Sequence, residues 1–409
     1  MRASHVIRDG HQIRLLEGGR EYFAALMAAL DQAREEVHLE TYIFDFHGTG
    51  TDVAEALVRA AQRGVRVRVV VDGVGSSALS ADWRERFAQA GVEWRVYAPL
   101  SWLGLLIPSR WRRLHRKLCV VDGQLAFCGG INILDDLYDP YQGPLDKPRL
   151  DFAVSATGAL VQQVREATSQ LWWRMQTVRD MREHHFPAAF HAFKTAGVHL
   201  PWTEPDRPQE GTQKTARAGL LLRDNVLHRG HIEKAYCKAI GLARQEIVIA
   251  NAYFVPGRKV RKALIHAAGR GVRVRLLLQG RYEYFMQFHA VRPVYGALLA
   301  AGVEIHEYTA SFLHAKVAVI DAHHDRPWAT VGSSNLEPLS LLMAREANVV
   351  VADGPFAQQL HARLLLAIAQ ESVPVAASVF ADRPRYQRIL DGMAYGLMRA
   401  VLFVMGKRY

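Results

Sequence analysis

Residues 114–132 read LHRKLCVVDGQLAFCGGIN, and residues 312–335 read FLHAKVAVIDAHHDRPWATVGSSN. Both stretches hold His-x-Lys-x4-Asp followed, after a variable gap, by Gly-Gly/Ser-x-Asn. The first supplies His115, Lys117, Asp122, Gly129, Gly130 and Asn132; the second supplies His314, Lys316, Asp321, Gly332, Ser333 and Asn335. From Asp to Gly is seven positions in the first copy (129 − 122) and eleven in the second (332 − 321), a difference that an insertion at His323–Arg326 accounts for.

The motif is the last of four blocks that recur in one order, which marks an internal duplication. Ala33–Phe44 matches Ala243–Phe254 at an offset of 210, Gly64–Gly73 matches Gly271–Gly280 at 207, Ala90–Glu93 matches Ala301–Glu304 at 211, and the histidines lie 199 apart. Each unit alternates helix and strand. Helical spacing covers 22–33, a strand follows over 37–44, a helix over 52–62 ends at Gly64, and strand 65–71, helix 81–90 and strand 92–97 come next. The motif then lies on a further strand, 117–121, with His115 at its start. Short β-rich runs alternating with helices imply an α/β fold, in each half a mostly parallel mixed sheet flanked by helices. A long helix over about 160–181 carries Trp172 and Trp173, read as core or domain-interface residues. Residues 183–218 hold four prolines and little periodicity, and read as a linker. The expected domains are therefore 1–182 and 219–388, with an apolar C-terminal helix over 389–409.

A chain of 409 residues, half of them apolar, can bury two moderate cores. Its 51 basic and 40 acidic residues leave a formal charge of +11, which calls for an anionic partner: nucleic acid, phospholipid headgroups or a phosphorylated substrate. The three cysteines, Cys119, Cys128 and Cys237, lack metal-ligand spacing and suit a reducing compartment. Nothing at the N-terminus marks export or acylation, so a cytosolic location is expected. No run reaches the length that spans a bilayer. Two shorter apolar stretches stand out: 99–108, PLSWLGLLIP, followed by Arg110, Arg112 and Arg113, and 389–406, ILDGMAYGLMRAVLFVMG. The first reads as a membrane-facing patch or a core loop, the second as an interfacial helix or one docked on its domain.

The motif has a clear chemistry. A neutral imidazole can attack phosphorus while a second, protonated imidazole donates to the leaving oxygen. One motif supplies one histidine, so a duplicated pair brought together across a pseudo-twofold axis supplies both. Lys117 and Lys316 place ammonium charge near the non-bridging oxygens, and Asn132, Asn335, Ser333 and Ser334 add donors, each commonly worth about 3 kcal/mol when aimed at developing charge. Asp122 and Asp321 complete the catalytic motif in a supporting role, holding the turn or the lysine. Asp151 and Glu346 are carboxylates downstream of each copy that could hold a histidine in its attacking tautomer, or be ordinary surface carboxylates.

Paired HxKx4D motifs closed by Gly-Gly/Ser-x-Asn resemble the phospholipase D superfamily over nearly the whole chain. Within it, Glu40–Phe44, Asp72–Ser76, Arg113–Lys117, Phe127–Asn132 and Asn251–Pro256 look like bacterial cardiolipin synthases, and the absence of N-terminal membrane spans looks like the shorter type B enzymes. The resemblance implies two phospholipase D-like domains and a two-step phosphatidyl transfer that needs no metal and no cofactor. By similarity His115 would form a phosphohistidine. His314 would protonate the departing alcohol and then activate the acceptor, while Lys117, Lys316, Asn132 and Asn335 hold the phosphate. Glu346, eleven positions after Asn335, stands where the family often carries a histidine-orienting glutamate. Asp151 fits less well, because the loop 140–148 lengthens its interval. The expected substrate is phosphatidylglycerol, alone or with phosphatidylethanolamine. The expected site of action is an anionic membrane surface on the cytoplasmic side of the bacterial cell membrane, with no obligate protein partner. Hydrolysis by the same chemistry, as a phospholipase D or a nuclease, is the alternative; the lack of an interleaved basic and aromatic series beside the motifs argues against nucleic acid.

Overall fold

The computed structural model describes residues 7–76, 78–99, 112–139, 143–197, 215–224, 228–281, 285–337, 344–381 and 383–404. The chain divides into two compact units, Met1–Asp135 with Ala153–Leu220, and Asp136–Phe152 with Leu221–Tyr409. The first unit is thus interrupted by a short segment that belongs to the second. The expected boundary at 182 misses this exchange.

In chain order the first part of the fold runs β1 (Arg8–His11), β2 (Ile13–Glu17), α1 (Gly18–Gln32), β3 (Glu36–Thr41), α2 (Thr49–Gln62), β4 (Arg66–Asp72), α3 (Ala81–Ala90) and β5 (Glu93–Tyr97). There follow β6 (Arg113–Leu114), β7 (Lys117–Val121), β8 (Leu125–Gly129), β9 (Tyr138–Asp139), β10 (Gly143–Pro144), β11 (Phe152–Ala156), α4 (Ala159–Arg182) and α5 (Phe186–Gly197). A seven-stranded sheet has the order β2-β11-β8-β7-β3-β4-β5. Only β3, β4 and β5 run parallel; β7 is antiparallel to β3, β8 to β7, and β11 to β8. The sheet is mixed, with its parallel character confined to one side. The cause is local. Gln124 N bonds Val121 O at 3.0 Å across Asp122 and Gly123, whose φ values are 52° and 63°. Two positive φ angles in a row form a type I′ hairpin turn, for which Asp-Gly is a favoured pair.

Alternation along the strands sorts two faces. Val37, Leu39, Val67, Val69, Val71, Cys119, Val121 and Phe127 join the core made with α1, α2 and α3. Val70 and Leu114 meet Leu171 and Trp172 of α4 on the other face. That face also holds charge: Arg116 pairs with buried Glu40 and donates to Ala167 O at 2.9 Å, and Arg165 Nε reaches Glu36 at 2.6 Å. Trp172 is a core residue, with the Arg95 guanidinium 3.5 Å from its ring centroid. α3 occupies the residues its sequence signals, capped by the Ser80 hydroxyl on Trp83 N and ended by left-handed Gly91. The expected linker holds a helix, α5, which packs along α4; residues 198–214 lie outside the described residues.

The second part continues with β12 (Ala216–Arg223), α6 (His231–Leu242), β13 (Glu246–Asn251), α7 (Arg258–Gly269), β14 (Arg273–Gln279), α8 (Phe285–Leu299) and β15 (Glu304–Tyr308). It ends with β16 (Lys316–Ile320), β17 (Trp328–Gly332), β18 (Ala344–Ala352), α9 (Gly354–Gln370), β19 (Ser372–Pro374), α10 (Ala377–Ala381) and α11 (Arg385–Val404). Its strand order, β18-β17-β16-β13-β14-β15, repeats β11-β8-β7-β3-β4-β5 of the first sheet. The pairing repeats too, parallel from β13 to β15 and antiparallel from β13 to β16 to β17 to β18. The hairpin pairs Ile320 with Trp328 where the first repeat pairs Val121 with Leu125. Those spans of eight and four positions place the four-residue insertion in the turn. Asp391, the acid within the C-terminal apolar run, is buried and bonds His289 of α8 and Arg383, both at 2.7 Å. Tyr386, Ile389, Met393 and Leu397 of α11 remain exposed. Among the described residues, no helix is long and apolar enough to cross a membrane.

Candidate active site

The pairing register brings the His-x-Lys and Gly-Gly/Ser parts of each motif to one end of its sheet. In the first unit that end carries the last residues of β3, β4 and β8 and the first of β7, because β7 and β8 run antiparallel to each other: Glu40 faces Leu118 and Lys117 faces Gly129. Asp72, buried at the end of β4, takes Leu114 N at 2.7 Å and Arg113 Nη1 at 3.2 Å, and so fixes the backbone just before His115. Arg116 turns to the α4 face with Glu40, and alternation sends His115 and Lys117 the other way. The Lys117 ammonium donates to His115 O at 2.7 Å. The Tyr42 ring meets the His115 imidazole edge-on at 4.9 Å between centroids and lies 5.4 Å from the Lys117 ammonium. Asn132 Oδ1 accepts Ile43 N at 3.2 Å, and Ser76 clamps the same loop by donating to Tyr42 O and accepting Phe44 N.

The second unit repeats the construction with different side chains. Gln279, at the end of β14, takes Leu313 N at 3.3 Å, as Asp72 takes Leu114 N. Lys316 Nζ donates to His314 O. Asn251 Oδ1 accepts Leu336 N at 3.1 Å, and Asn348 Oδ1 accepts Ser334 N at 3.3 Å. Ser333 Oγ donates to Glu346 and accepts Ala347 N at 3.0 Å. Gly332 is required by this packing: a Cβ there would lie 2.3 Å from Asn348 Cγ and 2.5 Å from Ala347 O. Asn335 is buried beside them.

Asp151 is the carboxylate that meets the second histidine. Its Oδ2 lies 2.6 Å from His314 Nδ1, while Oδ1 accepts Phe152 N at 2.8 Å. The contact is delivered by backbone: Leu150 N bonds Phe312 O and His314 N bonds Leu150 O, each at 2.9 Å, and Ser311 Oγ donates to Lys147 O at 2.7 Å. A proton on Nδ1 shared with a buried carboxylate leaves Nε2 of His314 as the working nitrogen, able to take or give a proton. Glu346, the better match by sequence interval, holds Ser333 within its own unit.

Asp122 and Asp321 stand apart from the histidines. Each lies at the far end of its strand, seven residues from His115 or His314 and about 20 Å away at the rise of a β-strand. Each has φ 52° and caps three backbone amides: Arg34, Glu35 and Glu36 at 2.8–3.0 Å for Asp122, and Arg244, Gln245 and Glu246 at 2.8–3.0 Å for Asp321. They hold the turn and not the lysine, which corrects their grouping with the catalytic residues. The residues that sequence reasoning did not single out as site-builders are Asp72, Gln279, Tyr42, Asn251 and Asn348. All but Asn348 sit in the repeated blocks, at strand ends, and that position was the available signal.

A family described as "Cardiolipin synthase, PLD-like domain" matches residues 26–138 and 236–368, one range per repeat. The chain belongs to this family. It is 35% identical over 96% of its length to the cardiolipin synthase B of Escherichia coli K12, 89% of which is covered. It is 30% identical over 94% of its length to a cardiolipin synthase of Geobacillus sp. strain WCH70, with 71% of that protein covered. Among solved structures, the phosphatidylserine synthase of Haemophilus influenzae Rd KW20 aligns over 95% of this chain and 94% of its own at a TM-score of 0.66 and 14% identity, a likeness of fold. Membership in the cardiolipin synthase family makes this a phospholipase D-type enzyme with both motifs intact, and the residues 99–111, whose membrane-facing reading rests on the sequence, fall largely outside the described residues.

Proposed function

We propose that the protein makes cardiolipin by transferring a phosphatidyl group from one phosphatidylglycerol to the hydroxyl of another. The observation that carries the reading is the hydrogen bond between Asp151 and His314, which builds a histidine fit for acid-base work in a chain of this family. In the first step His115 attacks the phosphorus of one lipid; the P–O bond to glycerol breaks and His314 gives the departing oxygen its proton. In the second, His314 removes the proton from the acceptor hydroxyl, whose oxygen attacks the phosphohistidine; the P–N bond breaks and His115 is restored. Lys117 and Lys316 balance charge on the phosphate oxygens, with Asn132, Asn335 and Ser333 as donors. Glu346 and Asp151 are assigned to orient the two histidines.

The exposed apolar residues of α11 and the formal charge of +11 support peripheral work on the cytoplasmic side of a bacterial membrane. The test is mass spectrometry of products after the protein meets phosphatidylglycerol vesicles in chelator, with and without phosphatidylethanolamine. Cardiolipin and glycerol, lost in His115→Ala, are expected. Phosphatidic acid alone would make the protein a phospholipase, and the absence of any lipid product would sink the reading.

A further inference from the structure

α5 is built inside out. Along Phe186–Gly197 the residues turned into the protein are Ala189, Ala192 and Ala196, while Phe186, Phe190 and Phe193, one face at helical spacing, are 61%, 71% and 67% exposed. Val178 and Met181, near the end of α4, are about half exposed as well. A helix that only needed to cover α4 would bury its phenylalanines and show its alanines; three large side chains held in water mark a surface made for another phase or partner.

The surrounding charge selects the occupant. α5 contains no acidic residue, and Lys194 and His191 are exposed on it. Just before it, Arg182, His184 and His185 are exposed; of the acids beside them, Glu183 is paired with Arg179 and lies 3.8 Å from His185, and Asp180 is buried and bonded to Gln176. Phenylalanines flanked by cations are the composition of a helix that lies in the headgroup region of an anionic bilayer, with rings among the acyl chains and basic groups on phosphates. A second copy of this chain would bring the same basic rim against itself. We propose that α5, with the end of α4, is a membrane-docking element that seats the first unit on anionic phospholipid.

The experiment uses the full chain carrying His115→Ala, so that the vesicles are not consumed, and vesicles of phosphatidylglycerol or of phosphatidylcholine. The variant F186A/F190A/F193A is expected to lose at least tenfold in partition to phosphatidylglycerol vesicles with an unchanged unfolding midpoint. Lys194→Glu, at a site that leaves the rings in place, is expected to weaken binding to phosphatidylglycerol and not to phosphatidylcholine. Unchanged partition of the triple variant would overturn the proposal, as would a triple variant that changes only the mass of the protein in solution, which would make the face a self-contact. The activity arm rests on the proposed transferase reading: with His115 restored, the triple variant is expected to lose turnover on vesicles and keep it on monomeric short-chain phosphatidylglycerol. Absence of turnover on both substrates in the wild type would end the transferase reading while leaving the binding result to stand.

Discussion

At the scale of single residues, the two kinds of aspartate in this chain do different work, and substitution separates them. Asp151→Asn keeps the shape of the carboxylate but reverses the tautomer it favours on His314. Turnover is expected to fall about 10³- to 10⁴-fold, as for other histidine-orienting carboxylates, with little change in unfolding midpoint. Full activity in that variant would remove Asp151 from the mechanism. Asp122→Asn should do the reverse. Three amide bonds weaken at the far end of β7, so stability should drop by about 1–3 kcal/mol in urea titration while turnover per folded molecule holds. The histidines and lysines were legible in sequence because their spacing is local and repeated. Asp151 was legible as a candidate histidine-orienting carboxylate, but which histidine it meets was not, because 163 residues separate it from His314. The role of Asp122 was written in the Asp-Gly pair, whose turn preference speaks more directly than its place in a catalytic signature.

Among the elements, strands and helices with apolar periodicity fall where their sequence puts them, and α5 does not, for a physical reason: its buried side is alanine, so hydropathy carries no inward-facing signal and the prolines around it suggest a linker. The strand ends are more exacting. Gly332→Ala would push a methyl group into Asn348 and the Ala347 carbonyl, and is expected to cost about 1–3 kcal/mol of stability and to displace Ser333 to Asn335, read as a rise in KM with a fall in kcat. A thermal midpoint within a degree of the wild type would contradict that packing. Glu36 and Glu246 begin equivalent strands, and both have carboxyls held down to about 2. For Glu36 the cause is first His38 and then Arg165; for Glu246 burial opposes ionisation but is outweighed by His361, at 2.6 Å, and Arg275. A depressed carboxyl contributes stability that is present above its unfolded value of 4.5 and is lost as pH falls toward about 2. Arg275→Gln should therefore flatten the decline in stability across that window, measured by denaturant midpoints at each pH.

For the whole molecule, the proposed chemistry makes the two histidines one machine. His115→Ala and His314→Ala should each abolish turnover, and the double variant should be little worse than either, because groups that act as a unit do not lose rate additively. Multiplying losses in single-turnover assays would mean that each motif works alone. The duplication itself was fully readable from four ordered blocks, and with it the two similar sheets. The exchange of residues 136–152 was not readable, since none of the repeated blocks of sequence covers that segment and its address is set by contacts far along the chain.

That exchanged segment has a consequence for how the gene can be cut. The stretch from Leu221 onward contains His314, Lys316 and Asn335, but its histidine's carboxylate is encoded upstream, between two portions of the other unit. No single break in the reading frame yields two self-sufficient halves.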